Sequence, residues 1–247
     1  MSGYVLTLKY DGTDFCGWQF QPNARTVQTE LQSGCEKVFG FRPDVTGCSR
    51  TDSGVHAKGF VALVGAENTI PEEGLIQALN SALPDDIAVT HAKFTEKNFH
   101  PRYDAKGKEY IYTVRNSKIR DPFSDRFAWL YGRKIDVDLA NKLCKEFVGT
   151  HDFKAFMAAG SKIVDSVRTV KYFEVAREGE DIIFKVAADG FLYNMVRIMV
   201  GTVVGAASGI KTEPIKDIIE DLDRAKAGLT APAKGLCLNK VFYDTEF

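Results

Sequence analysis

The hydrophobic period of this chain switches between two and 3.6 residues over the first hundred positions. The order of those switches constrains the fold more than any other feature. Tyr4, Leu6, Leu8 and Tyr10 alternate with Val5, Thr7 and Lys9, which predicts a strand over 4–10 ending in the Asp11-Gly12-Thr13 turn. Val27, Leu31, Cys35 and Val38 then recur at helical spacing after Thr26, a candidate N-cap, and stop at Gly40. Two short strands follow, over 44–48 and 59–65. Pro71 opens a second helix carrying Leu75, Ile76, Leu79 and Leu83, which Pro84 ends. A strand over 87–95 completes the order β, α, β, β, α, β, the split arrangement of a ferredoxin-like unit.

Asn98-Phe99-His100-Pro101-Arg102-Tyr103 punctuates the chain and sets the expected boundary between halves 1–102 and 103–247. The second half repeats the mixed grammar without a sequence repeat. Strands are expected over 108–114 and 127–131. A helix capped by Asp136 carries the stripe Leu139, Leu143 and Phe147, and a hairpin over 168–176 and 182–188 turns at Glu178-Gly179-Glu180. The apolar run 191–208 is interrupted by Asn194 and Arg197, so it reads as a buried helix and not a membrane span. An amphipathic helix over 214–226 and a strand over 236–243 close the chain. The expected fold class is α+β, a mixed α/β chain.

At 247 residues the chain is long enough for one large or two smaller cores, and 45% hydrophobic with 26% charged residues is ordinary globular composition. The N-terminus lacks a basic flank, an apolar run and a small-residue cleavage site, so a cytoplasmic location is expected. Five cysteines, odd in number and without a Cys-x-x-Cys pair, argue against a disulfide framework and against structural zinc. Cys48 reads as a small buried filler before it reads as a reactive thiol. Net charge is −1, yet residues 97–134 hold ten basic side chains, beginning at Lys97, against four acidic ones. Interleaved with Tyr103, Tyr110, Tyr112, Phe123 and Trp129, the block suits a phosphate backbone and unstacked bases; it equally suits a solvated strand pair with basic edges.

The loop over 47–57 concentrates the chemistry. Asp52 lies two residues after Arg50, between Gly47 and Gly54 and four residues before His56. An aspartate beside glycine in a turn often only caps its own backbone, whereas a carboxylate next to a guanidinium is held ionised and ready to act. Arg197 in an apolar helix calls for a carboxylate from another segment, and a salt bridge tying helix to sheet answers that need as well as catalysis does. The chain has no nucleotide-binding glycine motif, no His-x-x-x-His pair and no defensible Ser, His and Asp order. One carboxylate with cationic and aromatic support favours a cofactor-free reaction such as rearrangement of a glycosidic bond.

The stretch Gly47-Cys48-Ser49-Arg50-Thr51-Asp52-Ser53-Gly54-Val55-His56-Ala57 resembles the signature of the TruA-type tRNA pseudouridine synthases. So do Tyr10-Asp11-Gly12-Thr13 with Gly17-Trp18-Gln19, Phe99-His100-Pro101-Arg102, Lys108-Glu109-Tyr110-Ile111-Tyr112, and Gly149-Thr150-His151-Asp152-Phe153. The series ends with Asn194-Met195-Val196-Arg197, Val200-Gly201 and Ala231-Pro232-Ala233-Lys234-Gly235-Leu236. The resemblance implies that Asp52 is the catalytic aspartate in the conversion of uridine to pseudouridine, by attack on the sugar or by abstraction of a proton from it. Arg197 would pair with Asp52 and hold it charged, and Tyr110 would stack on the target base and help in proton transfer. Arg50 would act beside the flipped-out nucleotide, Leu236 would wall the uracil pocket, and His56 joins them on the substrate side. Also implied are two ferredoxin-like halves around one continuous antiparallel sheet with helices packed on one face, a homodimer gripping tRNA, and target uridines at anticodon-arm positions 38, 39 and 40. Neither metal nor organic cofactor is expected. Cys48, Ser49 and Ser53 depart from the signature, each replacing a small residue with another. A non-catalytic RNA-binding protein of this fold is the competing reading, and a carboxylate glycosidase lacks an evident second carboxylate.

Overall fold

The computed structural model describes residues 3–67, 70–96, 98–160, 164–210 and 213–244. Lys97, expected to open the basic block, lies outside them. By packing, the chain divides into one unit of residues 1–106 with 237–247 and a second of residues 107–236. The division falls four residues beyond the expected boundary after Arg102. The closing strand belongs by its contacts to the first unit, although it follows the second in sequence.

In the first unit, strands β1 (Gly3–Tyr10), β2 (Val45–Gly47), β3 (His56–Gly65) and β4 (Ile87–Thr95) alternate with helices α1 (Val27–Phe39) and α2 (Glu72–Ala82) in the predicted order. β1 is central, antiparallel to β3 on one side and to β4 on the other. The other edge of β3 is shared end to end. β2 pairs antiparallel with residues Ala62–Val64, and the last strand pairs Cys237 and Leu238 parallel with His56 and Ala57. Tyr4, Leu6 and Leu8 are fully buried, so the alternating face seen in the sequence is the core face. α1 begins where expected because the buried Thr26 side chain accepts from Thr29 N–H at 3.2 Å, and it ends on Gly40 at φ 77°.

The second unit orders its sheet as β5 (Gly107–Arg115), β9 (Asp181–Ala188), β8 (Val167–Glu178) and β7 (Gly149–Asp152). The two-residue strand β6 (Trp129–Leu130) runs parallel to the end of β5. Helix α3 (Val137–Lys145) starts on the Asp136 cap, but its buried face is Ala140, Cys144 and, beyond its end, Phe147; Leu139 is exposed. Phe147 is buried as predicted, but the two leucine positions of the stripe are one residue out of phase, because the helix turns the smaller Ala140 and Cys144 to the core and leaves Leu139 exposed. Ten of the 13 residues of α4 (Met195–Ala207) are buried, as an all-round apolar helix requires. It begins four residues later than the apolar run, because Asn194 turns the chain at φ 61°. Helix α5 (Ile215–Asp221) stops five residues early, at Leu222 with φ 56°. Strand β10 (Leu236–Phe242) then carries the chain back to the first unit.

The sequence signals that place α1 should be energetic ones. Thr26→Ala removes a buried cap that also bonds the Thr29 hydroxyl at 2.7 Å, and urea unfolding should show a loss of about 1–2 kcal/mol. A change below about 0.3 kcal/mol would mean that the cap is incidental.

Candidate active site

Residues 48–55 link β2 to β3 without regular pairing, so their backbone groups need partners elsewhere. Cys48 N–H donates to Val61 carbonyl at 2.9 Å, and the buried Cys48 sulfur accepts from Val61 N–H at 3.3 Å. Thr51 carbonyl accepts from Trp18 N–H at 3.1 Å, while its hydroxyl bonds the Tyr10 hydroxyl at 2.8 Å. Gly54 N–H at 3.3 Å and Ser53 hydroxyl at 3.1 Å both donate to Phe15 carbonyl. Asp52 carbonyl accepts from Val55 N–H at 3.2 Å, which closes a turn around the half-buried aspartate. The loop on either side of Asp52 is fixed by bonds to residues 10–18.

That neighbouring loop can come so close because it has glycine where it touches. A Cβ on Gly12 would lie 2.0 Å from Val55 carbonyl oxygen, and one on Gly17, at φ +83°, would lie 2.6 Å from that of Thr51. His56 braces the same contact from below. It is 4% exposed, and its Nδ1 accepts from Gly12 N–H at 2.9 Å. Asp11 Oδ1 is 3.2 Å from that nitrogen. Nδ1 carries a lone pair for Gly12 or a proton for Asp11, and the shorter amide bond favours the lone pair, with the ring proton on Nε2. The structure therefore puts His56 beneath the loop, and Arg50 on its exposed lip.

Tyr110, Arg197 and Leu236 belong to the second unit. Tyr110, 7% exposed on β5, meets Phe191 edge-on at 5.1 Å between centroids. Arg197 stands in the first turn of α4, where the helix dipole disfavours a cation and favours an anion beside it. Its Nε donates to Ala231 carbonyl at 2.7 Å and its Nη1 to Asn194 Oδ1 at 2.7 Å, and its own carbonyl accepts from Ala231 N–H at 3.1 Å. The segment holding Arg197 is itself held. A Cβ on Gly201 would lie 1.9 Å from Leu229 carbonyl oxygen. The Arg224 guanidinium donates to Gly228 carbonyl at 3.0 Å and to Thr230 hydroxyl at 3.1 Å.

Tyr112, grouped by the sequence with the aromatics of the basic block suited to unstacked bases, has a different place: its ring is in the core and open to no base. It is fully buried two positions along β5 from Tyr110, and its hydroxyl donates to Pro232 carbonyl at 2.7 Å. Burial pushes its phenol far above the ordinary range, and the nearby charge of Arg197 pulls the other way to a lesser degree. Its ring lies against Gly235, where a Cβ would be 2.6 Å away. Tyr112 thus seats the segment that links Ala231, the partner of Arg197, to the 6% exposed Leu236. The signal was present in the sequence as the alternation that puts Tyr110 and Tyr112 on one face of β5.

The glycine approach yields a direct test. Gly12→Ala must push the Asp52 loop away from β1, and the overpacking should cost ~1–3 kcal/mol in urea unfolding. An unchanged midpoint would show that the two loops are not in backbone contact.

Among the described residues, no group of three or more His, Cys, Asp or Glu is placed to hold a metal ion, and no helix is long and apolar enough to cross a membrane. A family model described as tRNA pseudouridine synthase matches residues 7–104 and 143–244. The chain is 44% identical over 245 residues to the tRNA pseudouridine synthase A of Clostridium acetobutylicum, covering 98% of this chain and 100% of that protein. It is 44% identical over 244 residues to the enzyme of the same name from Clostridium kluyveri, and 43% identical to that of Thermoanaerobacter pseudethanolicus, in both cases over 98% of this chain and 100% of the relative. With both its aspartate loop and its arginine helix inside the matched residues, the chain belongs to the TruA-type tRNA pseudouridine synthase family.

Proposed function

We propose that this protein isomerises uridine to pseudouridine in the anticodon arm of tRNA, at positions 38, 39 and 40, with Asp52 as the catalytic group. The observation that carries the reading is the state of the Asp52 loop. Its flanking groups are bonded to residues 10–18, and its aspartate is left half-buried on a fixed turn. A carboxylate presented part-exposed from a fixed turn meets a substrate in one orientation, which is what positioned chemistry requires.

In the reaction the bond from uracil N1 to the ribose C1′ breaks, the base turns, and C5 bonds to C1′. The hydrogen on C5 leaves to water and N1 gains a proton. Nothing is oxidised or reduced overall, so the reaction calls for no redox cofactor, and in this reading carboxylate chemistry carries it without metal or organic cofactor. Asp52 acts on the sugar, either as nucleophile at C1′ or as base, and Arg197 pairs with it to keep it charged. Tyr110 stacks on the extruded base, offsetting part of the few kcal/mol that unstacking costs. Arg50 stands beside the flipped nucleotide and Leu236 walls the uracil. His56 contributes to substrate binding by holding Gly12 against the loop.

The polyanion is met by a local patch, since net charge is −1. Part of the basic block is already neutralised, because Arg115 bonds Glu180 at 2.7 Å and Asp181 at 3.2 Å, and Lys106 bonds Asp244 at 3.0 Å. Lys118, Arg120, Arg133 and Lys134 remain exposed for the phosphate backbone. The protein works in the cytoplasm as a homodimer. Ile119 at 78% exposure and Phe123 at 94% provide apolar area for contact with a second copy.

Release of tritium from carbon-5-labelled uridine in unmodified tRNA measures the reaction. Asp52→Ala should remove all detectable release while leaving tRNA binding within about threefold, and the wild-type product should map to the anticodon arm. Retained turnover in Asp52→Ala would refute the assignment. Light scattering should give twice the chain mass, and Phe123→Asp should shift it toward the monomer.

A further inference from the structure

The block Phe99-His100-Pro101-Arg102 has no task in the mechanism above, yet it is tightly built. His100 Nδ1 accepts from the N–H groups of Arg102 at 3.2 Å and Tyr103 at 3.3 Å. The Asp104 carboxylate accepts from His100 N–H at 2.8 Å, and Asp104 N–H returns to His100 carbonyl at 3.0 Å. From the C-terminal segment of the same unit, the Tyr243 hydroxyl donates to Pro101 carbonyl at 2.6 Å, with Phe99 edge-on to its ring at 5.3 Å. These bonds fix a turn that presents an aromatic to water. Tyr103 is 77% exposed, its ring 4.1 Å from His100 between centroids, and the Arg102 guanidinium lies 6.0 Å from its centre.

Beside this platform, within the first unit, is a cleft of about 220 Å³ whose walls include Trp18, Ser49, Arg50, His100, Arg102 and Tyr103. Neither Arg50 nor Arg102 forms an ion pair among the described residues, which leaves two guanidinium groups on one cleft without a carboxylate. The volume is below the ~300–1,000 Å³ of a pocket that encloses a whole small molecule. It suits a phosphate and its sugar, with the attached base lying outside on Tyr103. Guanidinium groups match phosphate geometry, and an exposed aromatic accepts any base face. Arg50 is two residues from Asp52, so a strand entering this cleft also passes the catalytic loop.

We infer that the cleft binds the nucleotide next to the target uridine in the same RNA strand. Its phosphate sits between Arg50 and Arg102, and its unstacked base lies on Tyr103. This rests on the reading of Asp52 as the centre of uridine isomerisation. The cleft then sets which unpaired neighbour a target must have, and it does so without base-edge contacts.

Steady-state tritium release and equilibrium binding, both on unmodified tRNA transcript with the full chain, test this together. Tyr103→Ala should raise KM and weaken binding ~10-fold while changing kcat less than twofold, and Tyr103→Phe should restore both, because stacking needs the ring and not the hydroxyl. Arg102→Gln should lower the slope of log affinity against log salt by about 1, the signature of one lost phosphate contact. Lys216→Gln removes an exposed charge on α5, outside this cleft, and should move neither quantity. Unchanged KM and salt slope in the Tyr103 and Arg102 variants of an active enzyme would overturn the inference alone, as would a loss confined to kcat. A wild-type protein that releases no tritium from any tRNA would overturn the functional reading. In that case the binding arm would still decide whether RNA uses the platform.

Discussion

The contact between residues 11–18 and residues 51–55 is the constraint on which the rest of the aspartate loop depends. Two backbones meet there at distances that admit no Cβ, with Gly12 against Val55 and Gly17 against Thr51. That approach brings Thr51 carbonyl to Trp18 N–H, and it lets His56 accept from Gly12. Once both loops are locked, the backbone of Asp52 has little freedom left, and its side chain presents from one place. Positioning of this kind, and not an altered intrinsic reactivity, is what the packing of the loop supplies.

The second unit solves a related problem for a cation. Arg197 occupies the first turn of a helix, the end at which positive charge is least welcome. Its guanidinium is satisfied in part by a carbonyl and an amide oxygen, from Ala231 and Asn194. The segment carrying Ala231 is pinned to α4 by Gly201, tied at its base by Arg224 and seated on the buried ring of Tyr112. A guanidinium held by these bonds points its charge in one direction, which a flexible surface arginine does not.

Charge distribution follows the same logic of local use. The basic run near the middle of the chain looked like one patch. In the fold its strand member Arg115 is matched by acidic neighbours, Arg102 is exposed in the first unit, and Lys118, Arg120, Arg133 and Lys134 are exposed in the connection between β5 and the start of α3. A chain of nearly neutral net charge can therefore still offer a cationic surface to a polyanion.

Periodicity and punctuation in the sequence determined the α+β class, the first unit's order of elements and the N-caps at Thr26 and Asp136. Each of these depends on residues within one or two turns of one another. The family signature likewise made Asp52, Arg50, Tyr110, Arg197 and Leu236 legible as candidates. Only the tertiary structure decided the rest. The phase of α3, the late start of α4 and the early stop of α5 depend on what packs against them. The partnership of Tyr112 with Pro232 spans 120 residues. The return of β10 to pair with β3, the bracing of the aspartate loop by Gly12 and His56, and the conversion of an apparent linker at His100–Tyr103 into an ordered platform also join residues far apart in the chain. Close packing is a property of distant segments meeting in space, and no local window of sequence contains it.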